Sequence, residues 1–174
     1  MARRTTVIAA SLSVLALGSP LVTGCTNPLG IDYFNQGVEK HNAKNYQGAI
    51  DYYTKALEID PQNADALHNR GAAKDDLEDY QGALDDYKKA IEINPKFASA
   101  YFNRGNTKHS LKDYEGAVAD FTKAIEIDPG KANHYWGRGI ARQLTNDLAG
   151  ACDDWKKAAD LGSDKPAEWV KNQC

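Results

Sequence analysis

The residues able to do chemistry are scattered along this chain of 174 residues without the spacing that catalysis requires. No HExxH motif or CxxC pair occurs, and Gly137-Arg138-Gly139 lacks the third glycine of a dinucleotide-binding loop. The histidines show no metal-ligand spacing: His41, His68, His109 and His134. The sequence therefore predicts neither an enzyme nor a bound cofactor, which leaves binding as the class of function to consider.

Three near-identical heptapeptides show how the chain is organised. They are KALEIDP at residues 55–61, KAIEINP at 89–95 and KAIEIDP at 123–129, and each begins 34 residues after the last. This period divides the chain into four units: 30–63, 64–97, 98–131 and 132–165.

Each unit repeats the same residue types at fixed positions. Position 8 is glycine, positions 20 and 27 are alanine, position 24 is aromatic, and position 32 is proline in the first three units. Small residues let two antiparallel helices approach closely, the aromatic ring fills the space beside them, and proline blocks continuation of the second helix. Position 16 supplies a good N-cap for that helix: Asn45, Asp79, Asp113 or Asp147.

This pattern resembles the tetratricopeptide repeat, which has a period of 34 and the same glycine, alanine, aromatic, alanine and proline signature. The resemblance implies an all-α fold, namely a right-handed superhelical solenoid of four helix-turn-helix repeats. Residues 166–174 would cover the exposed last face as a capping helix, because Trp169 continues the position-4 series 34 residues after Tyr135. Positions 7 and 11 depart from the family, being mostly arginine and lysine.

In this family the first helices line a concave groove that takes extended peptides or partner helices, and positions 2, 5, 6, 9, 12 and 13 face it. An asparagine amide both donates and accepts, so an asparagine row could bind a peptide backbone, while rings offer apolar area. The resemblance thus implies these ligand-binding residues: Phe34, Asn35, His68, Asn69, Phe102, Asn103, Asn106 and Trp136. The alternative is that some of them pack between repeats.

Two further features limit the groove's chemistry. The carboxylate clamp of some family members is not reproduced, since only Asn69 matches it. Position 7 is arginine in the three repeats whose position 23 is aspartate, and repeat 1 loses both. That joint loss predicts ion pairs between the helices of a unit rather than a row of anion-binding arginines: Arg70–Asp86, Arg104–Asp120 and Arg138–Asp154.

Residues 1–24 have the layout of a secretory signal peptide, with Arg3 and Arg4 ahead of a short apolar run and small residues. The apolar run from Val7 to Leu17 is shorter than the roughly 20 residues that span a bilayer. Residues 1–24 are therefore better interpreted as a removable signal peptide than as a transmembrane helix.

The end of this segment, Val22-Thr23-Gly24-Cys25, resembles the bacterial lipobox. The resemblance implies cleavage before Cys25, acylation of Cys25, and a short tether over residues 25–29. We therefore expect an exported protein that is lipid-anchored to a bacterial membrane and faces the periplasm. The alternative is a buried or unpaired cysteine beside an ordinary cleavage site.

The other two cysteines are Cys152 and Cys174. Cys152 replaces an apolar residue on the side that should face the following helix, which ends at Cys174. An exported protein with two cysteines on packed elements favours a disulfide bond, although two buried thiols remain the alternative.

The net charge and the repeats together limit the classes of partner that this protein could bind. Without residues 1–24, Lys+Arg falls from 21 to 19 while Asp+Glu stays at 24, so the net charge is −5 and a nucleic-acid partner is disfavoured. The leading hypothesis is a membrane-anchored scaffold that binds a protein or peptide partner. The alternatives are self-assembly into a homo-oligomer and binding of a small ligand or glycan on Phe102 and Trp136.

Overall fold

The computed structural model describes residues 27–163 and residue 174. In this part of the chain all regular structure is helical, which confirms the predicted all-α class. The eight helices are α1 (Pro28–Asn42), α2 (Tyr46–Ile59), α3 (Ala64–Asp75), α4 (Tyr80–Ile93), α5 (Ala98–Ser110), α6 (Tyr114–Ile127), α7 (Ala132–Leu144) and α8 (Leu148–Asp160). The predicted signal peptide 1–24, Cys25, and the predicted capping helix 166–174 except Cys174 lie outside the described residues.

The helices pack in consecutive pairs, one pair for each repeat, and each pair packs against the next. The first helices of neighbouring repeats also contact one another, α1 with α3, α3 with α5 and α5 with α7. The second helices lie farther apart, so the stack curves toward its first helices. The inner face of the solenoid is therefore built from α1, α3, α5 and α7. None of the helices in 27–163 is long and apolar enough to cross a bilayer.

A glycine and an aromatic ring join the two helices of every repeat, as the sequence predicted. A Cβ atom built on Gly105 would lie 2.9 Å from Cε1 of Phe121, and one built on Gly71 would lie 2.8 Å from Cε1 of Tyr87. The rings occupy the space that the glycines leave, and each ring is almost fully buried. A side chain at position 8 would therefore push the helices apart.

The second helices begin at the predicted N-caps. The side chains of Asn45, Asp79, Asp113 and Asp147 each accept a hydrogen bond of 3.0 Å from the backbone N–H three residues later. The residue before each cap has left-handed backbone, with φ between 59° and 65°: Lys44, Glu78, Lys112 and Asn146. This single left-handed residue turns the chain back on itself between the two helices.

Helix α1 begins two residues before the predicted start of repeat 1 at residue 30. Asn27 caps it by accepting a hydrogen bond from the Leu29 N–H at 3.0 Å, and Pro28 occupies the first turn, where its missing N–H costs nothing. Pro28 and Leu29, which the sequence assigned to the tether, are therefore helical.

The predicted arginine–aspartate pairs are confirmed in repeats 2, 3 and 4. In repeat 2 the Arg70 Nε and Nη2 atoms donate to the two carboxylate oxygens of Asp86 at 2.8 Å and 2.7 Å. Lys74 at position 11 also lies 2.8 Å from Asp86, a partner that the sequence analysis missed. Burial raises the pKa of Asp86, but the hydrogen bonds from Arg70 and Lys74 outweigh it and lower the pKa below its usual value.

The cysteine pair is close enough to be bonded. The structure places Cys152 and Cys174 with a Cα–Cα distance of 5.8 Å, which lies in the range of disulfides, and with the two sulfurs at bonding distance. The bond would tie the end of the chain to α8.

Candidate functional site

Two cavities open on the inner face, each between the first helices of neighbouring repeats. The larger, here called the α5–α7 cavity, has a volume of about 320 Å³. The smaller, the α1–α3 cavity, has a volume of about 150 Å³. Each cavity has one lining residue from a second helix, Phe121 in the larger and Tyr53 in the smaller. All other lining residues stand at the six positions that the family resemblance assigned to the groove.

The α5–α7 cavity has apolar walls held by the core behind them. Phe102 packs on Phe121 with ring centroids 5.6 Å apart, and Trp136 packs on Trp155 with centroids 6.1 Å apart. Because Phe121 and Trp155 are buried, the two wall rings rest on fixed supports. The lining residues are Phe102, Asn106, His109, Phe121, Asn133, Trp136, Gly137 and Ile140.

A buried histidine supports this cavity from behind. His134 occupies position 3 of repeat 4, where repeats 2 and 3 have the buried alanines Ala66 and Ala100. Its ring lies 5.0 Å from that of Phe102. Burial lowers the pKa of His134, so the neutral ring is the form that packs here. Because histidine is larger than the alanine of repeats 2 and 3, His134 reaches Phe102, which is thus packed against both Phe121 and His134.

The α1–α3 cavity is smaller and more polar at its end. It is lined by Val38, His41, Asn42, Tyr53, Asn69 and Ala72. At its edge the Nε2 atom of His41 lies 2.9 Å from a carboxylate oxygen of Asp76, which joins the ends of α1 and α3.

The seam between α3 and α5 is closed by hydrogen bonds. His68 lies 3.1 Å from the Asn69 side-chain oxygen through Nδ1 and 2.9 Å from the Asn103 side-chain nitrogen through Nε2. This arrangement fits a neutral ring that donates from Nδ1 and accepts at Nε2. Burial lowers the pKa of His68 and so favours that neutral form. Farther along the seam, the Thr107 hydroxyl donates to Asp75 at 2.8 Å.

The structure divides the eight sequence-predicted site residues into three groups. Phe102, Asn106 and Trp136 meet in the α5–α7 cavity. His68, Asn69 and Asn103 form the closed seam, with Asn69 also reaching the α1–α3 cavity. Phe34 packs against Tyr53 at 5.8 Å, and Asn35 is exposed. The asparagines therefore do not form one continuous open row, since two of them bind His68.

Sequence reasoning missed several residues of the cavities and their edges. Asn133 and His109 line the larger cavity and were not assigned to the binding site, although they stand at groove positions 2 and 12. Asp75 and Asp76 were not assigned to the groove either, yet they occupy its positions 12 and 13 in repeat 2 and contact α5 and α1. Applying the positional rule to every repeat would have found all four.

The charge of the groove is one-sided. The six groove positions contain neither lysine nor arginine in any of the four repeats, and their acidic residues all lie in repeat 2: Asp65, Asp75 and Asp76. The cations at positions 7 and 11 of repeats 2 to 4 face aspartates between the helices instead. Within 27–163, no group of three or more histidine, cysteine, aspartate or glutamate side chains could hold a metal ion.

The repeat architecture and its groove define a class of protein, and family models agree with it. Models described as tetratricopeptide repeat match residues 32–63, 98–131 and 52–85, and a model described as TPR repeat matches 76–112. Together they cover residues 32–131, more than half of the chain. The chain therefore belongs to the tetratricopeptide-repeat family.

Solved structures with the same fold include proteins of very different origin. A MamA fragment from Desulfovibrio magneticus RS-1 is similar with a TM-score of 0.78 at 20% identity, over 86% of this chain and 85% of that one. This level of identity shows the fold alone. No curated protein sequence matches the chain.

Two repeat domains are somewhat closer in sequence. The TPR domain of Arabidopsis OM64 is 29% identical over 67% of this chain and 96% of its own, with a TM-score of 0.66. The first TPR domain of Spaghetti (RPAP3), solved bound to the HSP90 peptide SRMEEVD, is 27% identical over 70% and 94%, with a TM-score of 0.63.

Proposed function

We propose that this protein is an adaptor that binds an extended segment of a partner protein in the groove formed by α1, α3, α5 and α7. The observation that carries the proposal is the α5–α7 cavity, whose apolar walls and amide side chains suit a peptide side chain and its backbone. The bound peptide in the RPAP3 structure supports this use of the fold, since that domain is similar over most of its own length.

The proposal includes export and a lipid anchor at Cys25. Its support is the lipobox-like sequence and the layout of residues 1–24. Because α1 begins at Pro28, three residues after Cys25, the tether spans at most about 10 Å. The groove of an anchored protein would then stay close to the membrane surface, facing the periplasm.

An affinity pull-down from solubilised native membranes tests the adaptor function. The groove variant Asn106→Ala/Ile140→Ala changes two residues lining the larger cavity, and Asp85→Ala/Lys88→Ala changes two exposed residues of α4 as a matched control. We expect the groove variant to lose a partner that the wild type and the control both retain. Equal capture by all three proteins would show that the groove is not the working surface.

Self-assembly is the second candidate, and it has an observation of its own. Leu29 and Ile31 on α1, the first helix of the described residues 27–163, are 49% and 46% exposed. A second copy could cover this end. Sedimentation of the wild type and Leu29→Ser/Ile31→Ser over a range of concentrations tests it, and an unchanged monomer mass in both would reject it.

A further inference from the structure

We propose that the segment bound in the groove is basic, that it inserts one large apolar side chain into the α5–α7 cavity, and that it places a lysine or arginine over Asp75 and Asp76. The inference rests on the proposed function and deepens it by naming the chemical class of the partner.

The size and lining of the α5–α7 cavity argue for a single anchoring side chain. Its 320 Å³ lies at the small end of ligand pockets, which favours one large residue over an extended small molecule. Phe102, Trp136 and Ile140 give it apolar walls, while Asn106 and Asn133 supply amides for the backbone that carries the anchor. An aromatic or long aliphatic side chain fits these walls.

The charge of the same face argues for a cation beside the anchor. The groove positions carry three carboxylates and no lysine or arginine, so an acidic segment would be repelled and a basic one attracted. The arginines and lysines next to the groove do not cancel this preference locally. Arg104 and Lys108, for example, point to Asp120 with nitrogen–oxygen distances of 2.6 Å and 2.8 Å.

Asp75 contacts α5, the helix that forms one wall of the α5–α7 cavity, and Asp76 is its neighbour in the chain. Asp75 accepts from Thr107 of α5, and Asn106, the residue next to Thr107, lines the cavity on the other side of that helix. Burial raises the pKa of Asp75, and the negative charge of Asp76 also raises it. The hydrogen bond from Thr107 lowers the pKa but does not cancel these effects. A bound cation would offset this repulsion. Asp76 remains reachable because its side chain is 43% exposed despite the contact with His41.

The helix spacing sets the separation of cation and anchor. The carboxylates lie on α3 and the cavity lies between α5 and α7, which is about one and a half interhelical distances, or roughly 12–15 Å. An extended chain advances about 3.3 Å per residue, so the two side chains should be about four residues apart. The closed α3–α5 seam lies between them, and the backbone would pass over it.

The peptide in the RPAP3 structure provides a contrast. SRMEEVD ends in acidic residues, and that peptide is bound by a domain with the same fold. The equivalent groove here has Phe34 and Val38 where the carboxylate clamp of some family members needs a lysine and an asparagine, and Ser99 where it needs a lysine. A groove without cations and with carboxylates in repeat 2 should select the opposite charge.

Labelled synthetic peptides of about nine residues, measured by fluorescence anisotropy, test the inference directly. One peptide carries lysine and tryptophan about four residues apart in a glycine–serine background, and a second has the reverse order because chain direction is open. Matched peptides replace lysine by glutamate or tryptophan by alanine. We expect one of the lysine–tryptophan peptides to bind, and each replacement to weaken binding about tenfold or more.

Variants of the full chain locate the bound peptide. Asp75→Asn/Asp76→Asn should weaken the lysine–tryptophan peptide and not the glutamate–tryptophan peptide, while Asp85→Asn on the outer face should change neither. Asn106→Lys should weaken the lysine–tryptophan peptide, because it places a cation and a longer side chain at the cavity wall. Circular dichroism confirms that each variant is folded.

The outcomes separate this inference from the proposed function. Equal binding of the glutamate and lysine peptides, tryptophan-independent binding, or no binding of any peptide would overturn the inference. The adaptor function would still stand if the pull-down partner were lost with Asn106→Ala/Ile140→Ala. If Asp75→Asn/Asp76→Asn, and not Asp85→Asn, binds the lysine and glutamate peptides equally, the result supports both the inference and the adaptor function.

Discussion

Buried charge in this solenoid is arranged in groups of three side chains. Each of Asp120 and its two equivalents in repeats 2 and 4 receives a bidentate arginine from position 7 and a second cation from position 11. An aspartate buried without partners would be costly, and two cations with good geometry offset that cost. Repeat 1 replaces both charges and instead stacks Lys55 over Tyr52, 4.9 Å from the ring centroid.

Removing one partner of such a group should destabilise the fold. Arg104→Ala leaves Asp120 buried with Lys108 alone, so we expect a loss of about 2–4 kcal/mol in the free energy of unfolding. Lys89→Ala, an exposed change on α4, should stay within about 0.5 kcal/mol. Urea unfolding followed by circular dichroism measures both. Equal small effects would show that the pairing contributes little.

At the scale of the elements, each helical hairpin depends on one left-handed residue before the cap of its second helix. Lys112 and Asn146 adopt the same backbone, with φ of 64° and 65°. For most L-residues this conformation costs roughly 1–2 kcal/mol, whereas asparagine tolerates it. The two turns therefore have the same shape and differ in strain.

Replacement by glycine should reveal that strain. Lys112→Gly should raise the free energy of unfolding by about 0.5–1 kcal/mol, because relief of the left-handed strain exceeds the added freedom of the unfolded chain. Asn146→Gly should change it by only a few tenths of a kcal/mol or lower it, since asparagine already accepts this conformation. Thermal unfolding of the two variants in parallel compares the turns. A larger gain at Asn146 would contradict the expectation.

At the scale of the whole molecule, the four repeats look alike in sequence but produce unlike seams. The first and third seams hold cavities of about 150 and 320 Å³, while the middle seam is closed by His68–Asn103 and Asp75–Thr107. The groove thus consists of two separate cavities, and the carboxylates of Asp75 and Asp76 lie between them. Such an arrangement selects the spacing of side chains in a partner as well as their type.

The proposed anchor is also a property of the whole molecule. In a bacterial host we expect the wild type to partition into the detergent phase and to incorporate labelled palmitate, and Cys25→Ser to lose both, because acyl chains add about 0.8 kcal/mol for each buried CH₂. Cys152→Ser serves as the control that keeps Cys25. Palmitate incorporation that persists in Cys25→Ser would contradict the lipobox interpretation.

The sequence by itself determined the repeat, its helices and its internal ion pairs. The period of 34 placed glycine, alanine and aromatic residues where two helices meet, and the N-caps of the second helices followed from residue type alone. The ion pairs could be predicted because arginine and aspartate disappear together in repeat 1. These features join residues of the same unit, so a comparison of the units along the sequence is enough to predict them.

Only the tertiary structure decided which seams are open and which polar side chains already hydrogen-bond to a neighbouring repeat. The contact of His68 with Asn103 joins residues 35 apart, and that of Thr107 with Asp75 joins residues 32 apart, each between two different repeats. Such contacts depend on the substitutions that make neighbouring repeats unequal, including His134 behind Phe102. Periodicity describes what the repeats share, whereas a binding site is formed by their differences, brought together when the helices pack.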